Sequence, residues 1–193
     1  AIEDELMRAD LLRECVEAYI DDVGVFSQSW GEHLMHLNKT LDCLQKAGYK
    51  INPAKCEWAV KQTEWLGHWL TPEGIKPVNN KIQGILNIAA PTTVTQLRSF
   101  IGMVNFYRDF WQKRAHHMAP LTKLTKLPKG ARLVWNKEQD DAFKKIKAML
   151  CEEVLLYYPD PNKKFIIEPD ASKLQLGATI YQMNGTKKQP VAF

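Results

Sequence analysis

Two adjacent carboxylates interrupt an otherwise apolar, β-prone run from Val16 to Phe26, at Asp21 and Asp22. An ionised carboxylate is costly to bury without a partner, and two neighbours repel each other. The run therefore folds most simply as a β-hairpin with Asp21 and Asp22 at an exposed tip and Gly24 just beyond it. No local Lys or Arg stands ready to neutralise the pair. Hard divalent cations would, because Mg²⁺ takes carboxylate oxygens, and phosphoryl transfer commonly uses two such ions. For a bare dipeptide, a solvent-facing turn without function is the better reading. Its context has to decide.

The residues around the hairpin form an ordered series of elements. Residues 5–15 are amphipathic and predict a helix. Ser29 with Glu32 forms a capping box, and Trp30, Leu34, Leu37, Leu41 and Leu44 behind it make one helical stripe that Gly48 ends. His33 and His36 on that helix read as a half-exposed polar face, with no third metal ligand near them. Asn52-Pro53 makes a turn. Thr63 to Leu70 alternates as a strand, and Thr71-Pro72-Glu73-Gly74 turns it back, so residues 63–75 read as a second hairpin. Gly67 marks a close approach by a neighbouring backbone.

The chain then becomes helical. Val78, Ile82, Ile85, Leu86 and Ala89 share a face, and Pro91 stops that helix. Thr93 with Gln96 caps the next, whose stripe is Leu97, Phe100, Ile101, Val104 and Tyr107. Pro120 is placed to open a third. Asn136 with Gln139 caps a fourth, striped by Ala142, Phe143, Ile146, Met149 and Leu150. After Pro159-Asp160-Pro161-Asn162 the pattern is all β: Phe165–Glu168, Leu176–Gln182, a type I′ turn signal at Asn184-Gly185, and Gln189–Phe193. Boundaries are expected near residues 76, 130 and 158. No repeat or low-complexity segment appears.

Composition adds a few limits. The chain has 193 residues with an ordinary globular balance, 45% hydrophobic and 25% charged. No apolar run is long enough to span a membrane, so no membrane partner is expected. Cys15, Cys43, Cys56 and Cys151 form no CxxC pair, which argues against a zinc site and fits a reducing compartment. The N-terminus has neither an initiator Met nor a signal-peptide pattern and reads as the cut end of something longer. Net charge is +4, and it is unevenly spread: residues 1–35 carry −7 and residues 36–193 carry +11. Seven bases and one acid (Asp109) lie between Arg108 and Arg132, with Tyr107, Phe110 and Trp111 at its start. A basic body suits a polyanion, although charge alone fits a solvated surface better.

In that context Tyr19-Ile20-Asp21-Asp22, in a hairpin followed by a capped helix, resembles the palm of reverse transcriptases. The resemblance continues in order. Ala47 to Cys56 (AGYKINPAKC) is similar to the loop after the palm helix in the Gypsy group of long-terminal-repeat retrotransposons. Trp65-Leu66-Gly67-His68 resembles that group's primer-grip hairpin. Leu97 to Arg108 (LRSFIGMVNFYR) resembles its thumb helix. Ala119-Pro120-Leu121-Thr122, then Trp135 with Ala142-Phe143, match the pieces that follow. Asp170-Ala171-Ser172 resembles the opening of its RNase H domain. The similarity covers residues 19–193; residues 1–18 match only vaguely.

The resemblance implies an α+β architecture. Residues 1–75 would be the C-terminal half of a polymerase palm, with hairpins packed on a helix. Residues 76–130 would be helical thumb, 131–158 a connecting helix, and 159–193 the first antiparallel strands of an RNase H-like domain. It implies an RNA-directed DNA polymerase with attached RNase H, using Mg²⁺ or Mn²⁺. Asp21 would be a direct metal ligand and Asp22 its support. Tyr19 would pack near the primer end or the templating base pair. Lys50 would approach the incoming triphosphate. Trp65, Leu66, Gly67 and His68 would hold the primer backbone, and Arg98, Asn105 and Arg108 would face template–primer phosphates. Asp170 would be the first RNase H carboxylate and metal ligand. The implied partners are an RNA or DNA template–primer duplex, dNTPs, and the rest of a Pol polyprotein: fingers, the remaining RNase H, protease and integrase. The implied location is a cytoplasmic virus-like particle or the nucleus.

Three departures limit the expectation. The family's other palm Asp comes from an earlier strand that these residues do not contain. The remaining RNase H carboxylates follow later, and Glu168 has no reason to replace one. Pro169 would cost a central strand a ladder hydrogen bond. The 193 residues alone are therefore expected to be inactive. Two rivals remain: a non-catalytic nucleic-acid-binding remnant or domesticated protein, and a structural protein with an incidental Asp-Asp turn.

Overall fold

The computed structural model describes residues 1–128, 131–152, 154–171 and 176–193. They divide into two compact units, residues 1–58 and 59–193. In the first unit, α1 (Ile2–Arg8) is followed by β1 (Val16–Tyr19), β2 (Asp22–Val25) and α2 (Trp30–Lys46). The helix expected over residues 5–15 is thus shorter and displaced toward the N-terminus. Asp10 and Arg13 both take left-handed φ values, 54° and 68°, which break the helix into tight turns. Leu6, Leu11, Cys15 and Val16 still converge, because these turns return them to one small core.

α2 begins and ends where the sequence places it. Ser29 Oγ accepts from the Glu32 amide, and the Glu32 carboxylate accepts from the Ser29 amide. At the other end the Gly48 amide donates to Gln45 O and the Tyr49 amide to Leu44 O, with Gly48 at φ 81°. That is the Schellman pattern. The expected stripe is buried only at its C-terminal end. Leu44 is buried, whereas Trp30 and Leu34 are 63% and 45% exposed. A two-stranded ribbon cannot cover the length of a 17-residue helix. His33 and His36 turn their Nδ1 atoms to one hydroxyl, Ser27 Oγ, at 3.4 and 2.8 Å. This ties the strand–helix connection to α2.

The second unit opens with a meander, β3 (Thr63–Trp65), β4 (His68–Leu70) and β5 (Gly74–Pro77), extended by β6 (Leu156–Tyr157) into a four-stranded sheet. Thr63–Leu70 is therefore a hairpin, not one strand. Trp65 pairs with His68 across a two-residue loop. The expected turn at Thr71–Gly74 does form, with Thr71 Oγ1 donating to Gly74 O and accepting from the Gly74 amide. Four helices follow the meander: α3 (Asn79–Leu86), α4 (Val94–Asn105), α5 (Arg114–Thr125) and α6 (Lys137–Leu150). Both predicted capping boxes form, Thr93 with Gln96 and Asn136 with Gln139. Pro120 lies inside α5 and does not open it. That helix starts earlier, after Lys113.

The core of this unit is the apolar face of α4. Leu97, Phe100, Val104 and Tyr107 are all but inaccessible, and they meet Ile82 and Ile85 of α3, Leu121 of α5 and Phe143 and Ile146 of α6. Burying each such side chain contributes about 1.5–3 kcal/mol. Lys147 closes the bundle. Its ammonium donates to Leu86 O and Ile88 O, capping the end of α3, and lies 4.5 Å from the Phe143 ring centroid.

β7 (Ile166–Ala171), β8 (Leu176–Asn184) and β9 (Lys187–Ala192) form a separate antiparallel sheet with β8 in the centre. Asn184 pairs with Lys187, so the turn residues are Gly185 and Thr186, one position later than expected. Only Gly185 has positive φ, which is the type II′ and not the type I′ pattern. Among the described residues β7 is an edge strand, where a Pro is tolerated. Pro169 therefore stays in register opposite Ala178. Ser172 lies outside the described residues.

The packing predicts that Phe100→Ala costs about 3–5 kcal/mol, read by urea denaturation of residues 1–193. Ser99→Ala, next to it on the exposed face, should cost less than about 0.5 kcal/mol. Equal effects would show that α4 is not the core element.

Candidate nucleotidyl-transfer and nucleic-acid site

The β1–β2 hairpin presents its carboxylates at the tip. Tyr19 pairs with Asp22, leaving Ile20 and Asp21 as the two loop residues. Ile20 has φ 58° and is 79% exposed, while Asp21 keeps a negative φ. These are the φ signs of a type II′ turn, which normally has Gly at the first position. A β-branched residue there is strained, by about 1–2 kcal/mol. Asp21 and Asp22 are exposed, and neither forms an ion pair among the described residues. Tyr19 and Asp22, as the last cross-strand pair, share a face of the ribbon. The donor set is hard oxygen. No group of three His, Cys, Asp or Glu side chains suited to a metal occurs among the described residues. Two carboxylates still fit Mg²⁺, which usually keeps waters and binds through one or two carboxylates plus substrate phosphates. Lys50 is exposed, beyond the Gly48 stop.

In the second unit, Leu66 and Gly67 form the β3–β4 loop with φ 47° and 81°, the type I′ signature. Leu66 stands out from the tip. Gly67 is buried, and a Cβ added there would lie 2.9 Å from Phe106 Cζ and 3.0 Å from Lys81 Nζ. The close approach expected at Gly67 is thus made by an aromatic ring, not by a backbone. His68 follows, its ring stacked on Phe106 at 4.9 Å and on Phe110 at 5.5 Å, with Tyr107 edge-on. Burial pushes the His68 pKa below its ordinary 6.5, against a raising hydrogen bond with the Leu66 backbone. Burial also pushes the Tyr107 hydroxyl up, helped by the Glu64 carboxylate. The aromatic bracket was not read from the sequence as part of the site; the juxtaposed Phe106-Tyr107 and Phe110 were its only signal.

The candidate phosphate contacts have internal partners here. Arg98 donates to Thr125 O and Leu127 O, capping the end of α5. Asn105 Oδ1 accepts from Arg114 at 2.7 Å. Arg108 lies 3.4 Å from Asp109 and stays largely exposed. Tyr107, Phe110 and Trp111 are core residues, so they offer no stacking surface. On β7, Asp170 is exposed and pairs with Lys113 at 3.4 Å. Glu168 is engaged by Lys188 at 2.5 Å and by the Tyr181 hydroxyl at 2.9 Å. Those two contacts, Lys188 first, hold its carboxyl below the usual range.

Comparison with known proteins places these elements in context. Residues 3–70 match the family model for reverse transcriptase (RNA-dependent DNA polymerase), and residues 135–193 match that for the RNase H-like domain found in reverse transcriptase. The chain is 36% identical over 189 residues to the retrovirus-related Pol polyprotein from transposon 297 of Drosophila melanogaster, covering 97% of this chain and 17% of that protein. It is 34% identical over 179 residues to the transposon Tf2-3 polyprotein of Schizosaccharomyces pombe, covering 92% of this chain and 13% of that protein. It thus spans less than a fifth of either relative. Among solved structures, the foamy viral protease–reverse transcriptase dRH in complex with double-stranded DNA shares the fold. The TM-score is 0.84 at 24% identity, over 99% of this chain and 33% of that one.

Two outcomes follow for the β3–β4 hairpin. Gly67→Ala combines a disfavoured φ with a clash and should destabilise the second unit by about 1–3 kcal/mol, seen as a lower denaturation midpoint. His68 has a folded pKa below its unfolded one, so its neutral form supports folding above pH ~6.5. That support is lost as pH falls from there through the folded value. The Tm should fall between about pH 7.5 and 5.5, and less steeply in His68→Phe, with the residual slope from His117, also lowered by burial. Parallel slopes would rule out the His68 contribution.

Proposed function

Because the chain belongs to the reverse transcriptase–RNase H region of Pol polyproteins from Gypsy-like retrotransposons, we propose that it is the part of an RNA-directed DNA polymerase that supplies Asp21 and Asp22 to the polymerase metal site. The observation that carries this reading is the hairpin tip: two exposed carboxylates without an ion-pair partner among the described residues, on a strained two-residue turn. Both enzyme families are divalent-metal dependent. Mg²⁺ or Mn²⁺, when bound by Asp21 with Asp22, would supply the positive charge that activates a primer 3′-hydroxyl and steadies the leaving phosphate. Asp21 and Asp22 hold the cation, and Tyr19, on the Asp22 face, packs against the primer end. The exposed Lys50 faces the triphosphate.

The remaining roles divide along the chain. Residues 1–75 act as palm, 76–130 as thumb, 131–158 as connection and 159–193 as the start of RNase H. The reverse transcriptase match over residues 3–70 supports the palm assignment, whereas the RNase H-like match begins at residue 135, within the segment assigned here as connection. Trp65, Leu66, Gly67 and His68 hold the primer backbone, with the ring bracket fixing His68. Arg108 remains exposed toward phosphate, whereas Arg98 and Asn105 shape the helices that present it. Asp170 opens the RNase H metal site. The partner is a template–primer duplex, held through its phosphates without sequence reading.

Paramagnetic Mn²⁺ tests the reading directly. In amide spectra of residues 1–193, substoichiometric Mn²⁺ should broaden residues 19–23 first, and Asp21→Asn with Asp22→Asn should abolish that broadening. Uniform broadening along the chain would refute the site. The same protein should give no measurable primer extension with dNTPs and Mg²⁺, because these residues hold only two of the expected palm carboxylates; robust synthesis would overturn that expectation.

A further inference from the structure

The Leu66–Gly67 tip is not secured by its own strands. The β3–β4 ladder has three pairs, too short to be stable alone. Leu66 takes a left-handed φ that its side chain disfavours. Groups outside the hairpin must therefore fix the tip. The Phe106 ring is one of them. The second is Lys81 of α3. A Cβ at Gly67 would lie 3.0 Å from Lys81 Nζ as well as 2.9 Å from Phe106 Cζ. An ammonium and an aromatic ring thus close over the same buried glycine.

Lys81 is itself held in place. Its ammonium donates to Glu64 Oε1 at 2.8 Å, across 17 residues of sequence. The bridge joins the first strand of the hairpin to the helix that follows β5. Helix energetics do not explain a base there. Lys81 lies in the first turn of α3, which holds no acid, and the macrodipole disfavours positive charge at that end. Overall stability does not explain it either, because both side chains are about half exposed and such pairs contribute little. What the pair supplies is direction: a charge-assisted hydrogen bond sets where Nζ rests on Gly67. The ammonium is also near enough for the neighbouring imidazole to feel it. Burial lowers the His68 pKa most and the Leu66 backbone opposes that, while Lys81 lowers it further against Asp109.

We propose that Lys81 is a positioning residue: clamped by Glu64, it fixes the Leu66–Gly67 tip in the orientation that presents residues 65–68 to a nucleic-acid backbone. The inference rests on the reading above that this hairpin holds the primer strand. It adds what sets the orientation of the hairpin. Lys81 acts through Gly67 and His68 and not on the duplex itself. Glu64, although an acid beside a polyanion, therefore favours binding, because it aims the ammonium.

Residues 1–193 at about pH 8, where His68 is neutral, provide the test. The variants are Glu64→Gln, Lys81→Met and the exchange Glu64→Lys/Lys81→Glu. The first readout needs no nucleic acid. The His68 ring protons, stacked on Phe106 and Phe110, carry ring-current shifts in the wild-type NMR spectrum. Those shifts should move toward random-coil values in both single variants and return in the exchange. Melting midpoints should stay within about 4 °C of wild type. The second readout is fluorescence anisotropy with a labelled RNA/DNA hybrid. Glu64→Gln removes a negative charge, so bulk electrostatics alone would tighten binding. The positioning role requires the opposite, a loss of roughly threefold or more that the exchange recovers. Unchanged His68 shifts in the single variants overturn the inference and leave the proposed function standing. So do a Glu64→Gln variant that binds as tightly as wild type or tighter, an exchange that recovers neither readout, and a larger fall in melting midpoint. If wild type does not bind the hybrid at low salt, the proposed function falls and this inference with it.

Discussion

The apolar face of α4 must be covered on more than one side, and the second unit is arranged to do that. Leu97 and Phe100 are sealed by α3, α5 and α6, while the chain just past Val104 meets the β3–β4 hairpin. Phe106 is 49% exposed and stays outside the bundle, whereas Phe110 is buried in it with Tyr107. The two rings bracket His68, and Phe106 closes over Gly67. One helix therefore sets both the core and the position of the hairpin. A ring lying on a glycine leaves no room for a Cβ, so the hairpin can be displaced only by moving Phe106. This ties the Leu66 tip to helical packing and not to its own short ladder of three pairs, which would be marginal alone.

Helix starts were legible because they are written in local chemistry. Ser29 with Glu32, Thr93 with Gln96 and Asn136 with Gln139 each satisfy amides within four residues. The stripes of α4 and α6 were equally readable, since neighbouring elements bury all of their residues but Ile101, which is partly buried. The stripe of α2 was misleading for the opposite reason: its period was right, but too little surface exists in the first unit to cover Trp30 and Leu34. Periodicity states which residues could be buried together, not whether anything buries them.

Turns were the least legible feature. Ile20, Leu66 and Lys113 all take left-handed backbone conformations that their side chains disfavour, so the residue type at these positions does not signal the bend. Leu66-Gly67 looked like the middle of a strand, and α5 could be started at Pro120 because nothing marked Lys113. At Asn184-Gly185 a strong type I′ signal lost to a register one residue further on, with an irregularity between Ile180 and Tyr181. The candidate site follows the same rule. The residue types at Asp21, Asp22, His68 and Asp170 were visible, but the partners that define them, Phe106 and Phe110 for His68 and Lys113 for Asp170, come from distant segments.

Charge illustrates why partners matter more than counts. Seven bases between Arg108 and Arg132 suggest a continuous positive surface. In the fold, Arg114 is spent on Asn105 and Arg108 lies beside Asp109. Earlier and later in the chain, Arg98 and Lys147 are consumed by helix-end carbonyls, where a fixed positive charge offsets the macrodipole. The bases available to an anion are therefore fewer than composition implies. At the other extreme, the acids at Asp21 and Asp22 have no ion-pair partner among the described residues. A net charge of +4 averages these opposite situations. What the molecule can hold depends on which charges the fold has left unpaired, and at the β1–β2 tip it leaves two adjacent carboxylates suited to a cation.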